Sequence, residues 1–201
     1  MMEYKHYREQ ALETISRKVI KDYDPALIHQ PATIPIEDII EKQYKLTIVY
    51  QKIRKTGKIL GETAFDDTFV AIYDDEKGYI WLPVKRGTII IDEKLLHPRS
   101  YGRLRFTLAH ELAHWVIHQY IYSGSGQTAA MQQSITKSSE VDKAVERQAD
   151  LLGSFILMPA GQVKIGFYNN RINPHLTETL AKIFGVSKQA MDIRLQGLGL
   201  V

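Results

Sequence analysis

The sequence contains no cysteine in its 201 residues. This absence excludes a disulfide scaffold, a thiolate metal site and a cysteine nucleophile, and it is compatible with a reducing compartment. If the protein holds a metal ion, the ligands must therefore be nitrogen and oxygen atoms.

Long apolar runs are also missing. The N-terminal segment from Met1 to Gln10 lacks the uninterrupted apolar stretch of a signal peptide. No later segment is apolar for the roughly 20 residues that a membrane-spanning helix needs. We therefore expect a cytoplasmic protein with no membrane partner.

The sequence has no large excess of charge of either sign, since the formal net charge is only +3. The densest basic cluster is interrupted by glycine and isoleucine, which is typical of a solvated loop. Nucleic acid is therefore not an expected partner. With 44% hydrophobic residues, the chain is expected to bury a proper core.

The most informative segment is His110-Glu111-Leu112-Ala113-His114. On a helix, four residues advance the chain by slightly more than one turn, so both imidazoles project from one face and can bind one metal ion. One zinc ion, Zn²⁺, suits such a site best, although manganese and iron accept the same kinds of ligand. Glu111 then stands beside the position left for water, where a carboxylate can act as general base.

Apolar residues surround this motif, which predicts a mostly buried helix. Pro98 and Gly102 mark a loop before the helix, and Ser123 to Gly126 mark its end. His118 prolongs the series of histidines, but side chains eight residues apart on a straight helix are about 12 Å apart and cannot share one ion. We therefore expect His118 to be packed or solvent-facing.

The third ligand is expected in the segment from Glu140 to Pro159, where apolar residues at helical spacing predict a second helix. We expect Glu146 to bind the metal, and Asp150, one turn later, to accept a hydrogen bond from a ligating histidine. A solvated acidic face is the alternative for Glu146. Glu140 and Asp142 lie nearer the helix start, where acidic residues are expected from the helix dipole alone.

The remaining pattern predicts an α+β fold. Apolar residues recur at helical spacing near the N-terminus and predict a helix that ends at about Tyr23. From Leu46 to Leu96, short runs rich in isoleucine, valine, tyrosine and threonine predict three to five strands of a small, largely antiparallel sheet. Helices follow to the C-terminus.

We expect a helical extension at residues 1–30 and one domain at residues 31–201, which ends in a helical hairpin at 175–197. The hairpin turns at Gly185-Val186-Ser187, which allows a DNA-binding helix-turn-helix interpretation. Its basic residues are few, so we expect it to pack against the domain. They are Lys182, Lys188 and Arg194.

Together these segments resemble the ImmA/IrrE family of metallopeptidases. The similarity is carried by Arg105 to Trp115, by Glu146 to Asp150, and by Ile156 to Pro159. Ile34 to Ile40 and Leu180 to Ser187 are similar to the family's entry segment and C-terminal helical region. The resemblance therefore covers most of the chain from Ile34 onward.

The resemblance implies a gluzincin-like fold in which His110, His114 and Glu146 bind zinc. It implies Glu111 as the catalytic base. It also implies a substrate, because members of known role cleave helix-turn-helix repressors and so switch on mobile-element or stress genes.

The chain departs from the family pattern at two positions. Ala113 stands where glycine is frequent, and Asp150 stands where asparagine is usual. Neither departure removes a ligand, and Asp150 keeps an oxygen acceptor at its position.

Three functions stay open at this point. The first is a zinc endopeptidase, the second a zinc-fold sensor or regulatory protein that binds without cleaving, and the third a DNA-binding regulator. The intact Glu111 favours the first, and the weak positive charge disfavours the third. Neither an oligomeric state nor an oxyanion-stabilising residue is assigned.

Overall fold

The protein is described here by a computed structural model that covers residues 5–56, 59–124 and 140–201. Its helices are α1 (Glu9–Tyr23), α2 (Ile36–Asp38, continued by a π-helical turn at Ile39–Gln43), α3 (Tyr101–Ile117), α4 (Gln119–Tyr122), α5 (Glu140–Leu157), α6 (Ala160–Asn170), α7 (Leu176–Phe184) and α8 (Lys188–Gly197). Its strands are β1 (Thr47–Gln51), β2 (Gly61–Thr63), β3 (Thr68–Asp74), β4 (Gly78–Val84) and β5 (Thr88–Asp92). The predicted α+β class is confirmed. Of the loop predicted at Ser123 to Gly126, only the first two positions lie among the described residues.

Strand β5 is the centre of a three-stranded sheet with the order β1-β5-β2. β1 pairs with β5 in parallel, and β2 pairs with β5 in antiparallel orientation with Thr63 opposite Ile89. β3 and β4 form a separate antiparallel hairpin. Two of these three pairings are antiparallel, as predicted, but the strands divide into two groups instead of one sheet.

The division follows from the burial of β5, all of whose residues are buried. Successive side chains of a strand point to opposite faces. Ile89 and Ile91 therefore join the main hydrophobic cluster with the helices, whereas Ile90 joins a smaller cluster with Val70 and Ile72 of the hairpin. The sheet thus lies between a helical layer and the hairpin.

Helix α1 ends at Tyr23, as predicted. Its residues Leu12 and Val19 belong to the main hydrophobic cluster, which also contains Leu108 of α3 and Leu152 of α5. The N-terminal helix therefore shares its core with the helix that carries the histidine motif. The division of the chain at residue 30 stays a prediction.

The C-terminal hairpin consists of α7 and α8, joined at Gly185 with φ +64°, a conformation that glycine adopts without steric strain. Arg194 of α8 is buried, donates a hydrogen bond to the Met158 carbonyl at 2.8 Å and pairs with Glu13 of α1. The apolar face of the hairpin is buried in the main cluster through Leu180, Phe184, Met191 and Leu195. The hairpin therefore packs against the domain.

Among the described helices, none is by itself both long enough and apolar enough to cross a membrane. Within the described ranges, one pair of helices, Val141–Leu157 and Ala160–Asn170, is long and apolar enough when the two are taken together, but the pair is bent by 51°.

Helices α3 and α5 cross at very short distance where Gly153 faces the first histidine. A Cβ atom on Gly153 would lie 3.0 Å from the His110 backbone nitrogen and 3.1 Å from the Ala109 carbonyl carbon. These are backbone atoms of a helix and cannot move aside as a flexible side chain can. The missing side chain at Gly153 therefore permits the close approach of the two helices.

Replacing Gly153 with valine is expected to lower the free energy of unfolding by about 1–3 kcal/mol, because the added atoms overpack the crossing. Chemical denaturation measures this change. Gly161→Ala in α6 is the control, because its Cβ would meet nothing within 4 Å, and it is expected to be neutral or stabilising by up to about 1 kcal/mol. Equal unfolding free energies for Gly153→Val and the native protein would contradict the role of this contact.

Candidate metal centre

The predicted ligands come from two helices, with His110 and His114 on α3 and Glu146 on α5. The Nε2 atoms of the two imidazoles lie 3.1 Å apart. The carboxylate of Glu146 lies 3.4 Å from His110 Nε2 and 3.1 Å from His114 Nε2. The three side chains form a group that can hold a metal ion.

These separations fit a tetrahedral metal. With bonds of about 2.0–2.2 Å, two ligand atoms of tetrahedral zinc lie about 3.3–3.5 Å apart. The two nitrogens lie 3.1 Å apart, and each lies at 3.4 or 3.1 Å from a different oxygen of Glu146, which is close to that value. Two imidazole nitrogens and one carboxylate also leave a fourth position for water, and the same donors suit manganese or iron.

The electrostatics of the group favour a bound cation. Burial lowers the pKa of His110, but hydrogen bonds to Asp150 and Glu146 and the charge of Glu111 outweigh burial and raise that pKa to about 10. Burial raises the pKa of Glu146, but hydrogen bonds from His110 and His114 outweigh it and hold that pKa well below its usual range. The metal-free group therefore retains a proton, whose place a divalent metal ion would take.

Asp150 orients the first histidine. The Nδ1–H group of His110 donates to the Asp150 carboxylate at 2.9 Å, which confirms the hydrogen bond predicted for Asp150. Because Asp150 holds a proton on Nδ1, Nε2 is the nitrogen that can bind a metal ion once the ring gives up its second proton.

His118 orients the second histidine. α3 ends at Ile117, and His118 is fully buried with its Nδ1 3.1 Å from Nδ1 of His114. The residue is therefore packed and does not face solvent, one of the two alternatives expected for it. Burial and the neighbouring His114 lower the pKa of His118 to about 3, so its ring stays neutral and can accept a hydrogen bond.

The chain of hydrogen bonds continues to the N-terminal segment. His118 Nε2 lies 3.3 Å from the Gln148 side-chain oxygen, and the Gln148 amide donates to the Lys5 carbonyl at 3.3 Å. If His114 bound a metal ion through Nε2, its ring proton would sit on Nδ1 and would be donated to His118. His118 would in turn donate from Nε2 to the Gln148 oxygen, so that each donor in the series has an acceptor.

Glu111 is buried, and its position is set by strand β2. Thr63 Oγ1 donates a hydrogen bond of 2.6 Å to one carboxylate oxygen of Glu111. A Cβ atom on Gly61 would lie 2.6 Å from the other oxygen, so the strand approaches the carboxylate closely only because this residue is glycine. Sequence reasoning missed Gly61 and Thr63, because no local pattern links β2 to a helix 48 residues later.

The other acidic candidates lie outside the group of three. Asp142 is in the first part of α5 and does not join the His110–His114–Glu146 group. Glu140 begins α5, but its side chain is not among the described parts of the chain.

Two histidines and a glutamate on packed helices of an α+β fold define a metallopeptidase-like protein. Residues 72–196 match the IrrE N-terminal-like domain, a peptidase family. The match covers more than half of the chain, and the protein belongs to this family, as its resemblance to ImmA/IrrE metallopeptidases predicts. Membership makes it a peptidase, and hence a hydrolase. No curated protein matches the chain.

Replacing His118 with leucine is expected to weaken the binding of a divalent metal ion, tested with zinc, about 10- to 100-fold, because Nδ1–H of His114 loses its acceptor. Competition with a chelator measures the zinc dissociation constant, and circular dichroism checks that the variant folds. His175→Leu is the control, because His175 is exposed at the start of α7. Unchanged zinc affinity in His118→Leu would show that the contact does not orient His114.

In the metal-free protein, we expect His110 to stay protonated at about pH 8 and to titrate near pH 10. Because this folded-state pKa exceeds the unfolded value of about 6.5, its contribution to stability is present below pH 6.5 and is lost as the pH rises through 10. Ring NMR signals give the pKa and thermal unfolding gives the stability. Asp150→Asn is expected to lower the pKa, and an unchanged value would contradict the assigned cause.

Proposed function

We propose that the protein is a zinc-dependent endopeptidase that hydrolyses a peptide bond in a protein substrate. The observation that supports this chemistry most directly is the position of Glu146, which comes from a second helix to within 3.4 Å of both imidazoles. We further propose that the substrate is a helix-turn-helix transcriptional repressor. Family resemblance supports this part of the proposal.

In this proposal His110, His114 and Glu146 hold the metal ion. A bound zinc ion would supply a Lewis acid that activates water and polarises the peptide carbonyl. Glu111 accepts a proton from the attacking water and later delivers it to the leaving amine nitrogen.

The hydroxyl of Thr63 keeps Glu111 in place for both proton transfers. It donates to Oε2 of Glu111. Within the described chain, Oε1 takes part in no hydrogen bond, which leaves that oxygen for the water. Asp150 and His118 are positioning residues, because each acts through the imidazole that it holds.

The direction of substrate entry follows from burial. His114 and Glu111 are almost completely buried, whereas the side chain of Glu146 is 33% exposed and that of His110 17% exposed. The centre therefore opens to solvent on the side of His110 and Glu146. A peptide substrate would reach the three metal-binding side chains from that side.

Replacing Glu111 with glutamine is expected to reduce cleavage by a factor of about 10² to 10⁴, because the amide cannot accept a proton from water. The zinc content should be unchanged, since Glu111 is not a ligand in this scheme. The assay incubates zinc-loaded protein with helix-turn-helix repressors encoded near its gene, and mass spectrometry identifies the products. Metal analysis of both proteins is the control.

Two outcomes would contradict the proposal. If the native zinc-loaded protein binds a repressor but cuts none, it acts as a regulatory binding protein. If the Glu111→Gln variant cuts as fast as the native protein, Glu111 is not the base.

A further inference from the structure

A groove of about 580 Å³ lies beside the candidate metal centre. Residues of three helices, α3, α5 and α8, line it. It adjoins the centre at Asp150, whose carboxylate accepts the hydrogen bond from His110. None of the three candidate ligands lines the groove, so Asp150 is the residue through which the groove adjoins the centre.

The floor of the groove is apolar. Phe106 of α3, Leu151 of α5 and Ile193 of α8 line it. Ile193 is 63% exposed and lies beside the other two, so the groove presents an apolar patch and not a single exposed residue. Such a concave apolar surface offers a site for a large apolar side chain of a ligand.

Two arginines, Arg103 and Arg147, flank this floor. Both are exposed, and among the described residues neither guanidinium group takes part in a hydrogen bond or ion pair, although the backbone carbonyl of Arg103 accepts one from Thr107. The acidic lining residue Asp150 is already engaged by His110. The two guanidinium groups outnumber the single carboxylate in the groove lining, so the groove presents net positive charge. Guanidinium groups bind carboxylates in a two-pronged geometry.

The distance from the metal centre follows from the helix rise of about 1.5 Å per residue. Phe106 precedes His110 by four residues and Arg103 precedes it by seven, so they lie about 6 and 10 Å along α3 from it. An extended peptide advances about 3.3–3.6 Å per residue. A chain held at the metal would thus reach the groove with residues two to three positions from the cleaved bond.

We propose that this groove binds the substrate two or three residues from the cleaved bond and selects there a large apolar side chain next to an acidic one. The inference rests on the proposed peptidase function, because that function places the substrate at the metal centre. The apolar side chain covers Phe106 and Ile193, and the acidic one binds Arg103 and Arg147. A lysine in place of the acidic residue is repelled.

Peptide binding to the full-length, zinc-loaded Glu111→Gln variant tests the proposal without cleavage. The probes are fluorescein-labelled peptides of about 12 residues, long enough to span the centre and the groove when extended. Each has an alanine, glycine and serine background with a central Leu-Glu, Leu-Lys or Gly-Glu pair. Fluorescence anisotropy should show Leu-Glu binding at least about tenfold more tightly than Leu-Lys, and more tightly than Gly-Glu.

Groove variants in the same background assign this preference to individual side chains. Arg103→Glu with Arg147→Glu should reverse the preference in favour of Leu-Lys. Ile193→Ser should weaken binding of both leucine peptides and leave their ratio unchanged, because it alters only the apolar floor.

The matched control is Arg8→Glu with Arg171→Glu. Both residues are exposed and neither lines the groove, so this control makes the same change in net charge and should keep the native ratio. Zinc content and circular dichroism verify that every variant folds.

Equal binding of Leu-Glu and Leu-Lys, or an acidic preference that survives in Arg103→Glu with Arg147→Glu, would overturn the proposal. Cleavage by the native protein separates this result from the peptidase function. If repressors are cut but the peptides show no preference, the groove proposal fails and the peptidase stands. If the preference is present but nothing is cut, the groove is a recognition site and the peptidase proposal fails.

Discussion

The close crossing of α3 and α5 is the contact on which the other features of the centre depend. Gly153 lets the backbone of α5 touch that of α3 at His110. Asp150 and Glu146 precede Gly153 on the same helix and therefore reach the two imidazoles. A wider crossing would separate the carboxylates from the histidines and leave the half-buried charge of Glu146 without its partners, which is unfavourable. The same crossing forms one wall of the groove.

The centre combines groups that are individually unstable in a protein interior. Glu146 and Glu111 are carboxylates at buried or half-buried positions, and each is compensated by hydrogen bonds, from the imidazoles in one case and from Thr63 in the other. The hydrogen bonds behind His114 run in one direction through His118 to Gln148. A cation on the imidazole Nε2 atoms fits this direction, because each ring then has its proton on the far nitrogen.

Several elements could be predicted because their signals are local. The end of α1 at Tyr23, the helical segment around His110 and the helix that ends before Pro159 follow from apolar periodicity and from proline and glycine positions. The spacing of His110 and His114 places both rings on one helix face without any tertiary contact. The prediction of Glu146 as a ligand required a further argument, because two histidines alone do not complete a metal site and a third ligand must come from another segment.

Functional residues that are neighbours on one helix could therefore be predicted from the sequence, as the histidine pair and the adjacent Glu111 were. Contacts between segments that are distant in the sequence could not be predicted. These include Thr63 with Glu111, His118 with Gln148, and the parallel pairing of β1 with β5. The physical reason is that helical periodicity specifies which face a side chain occupies, whereas the partner across that face depends on how separate elements pack. Tertiary packing alone brought a threonine from an edge strand to Glu111, and two arginines from separate helices to the groove beside the candidate metal centre.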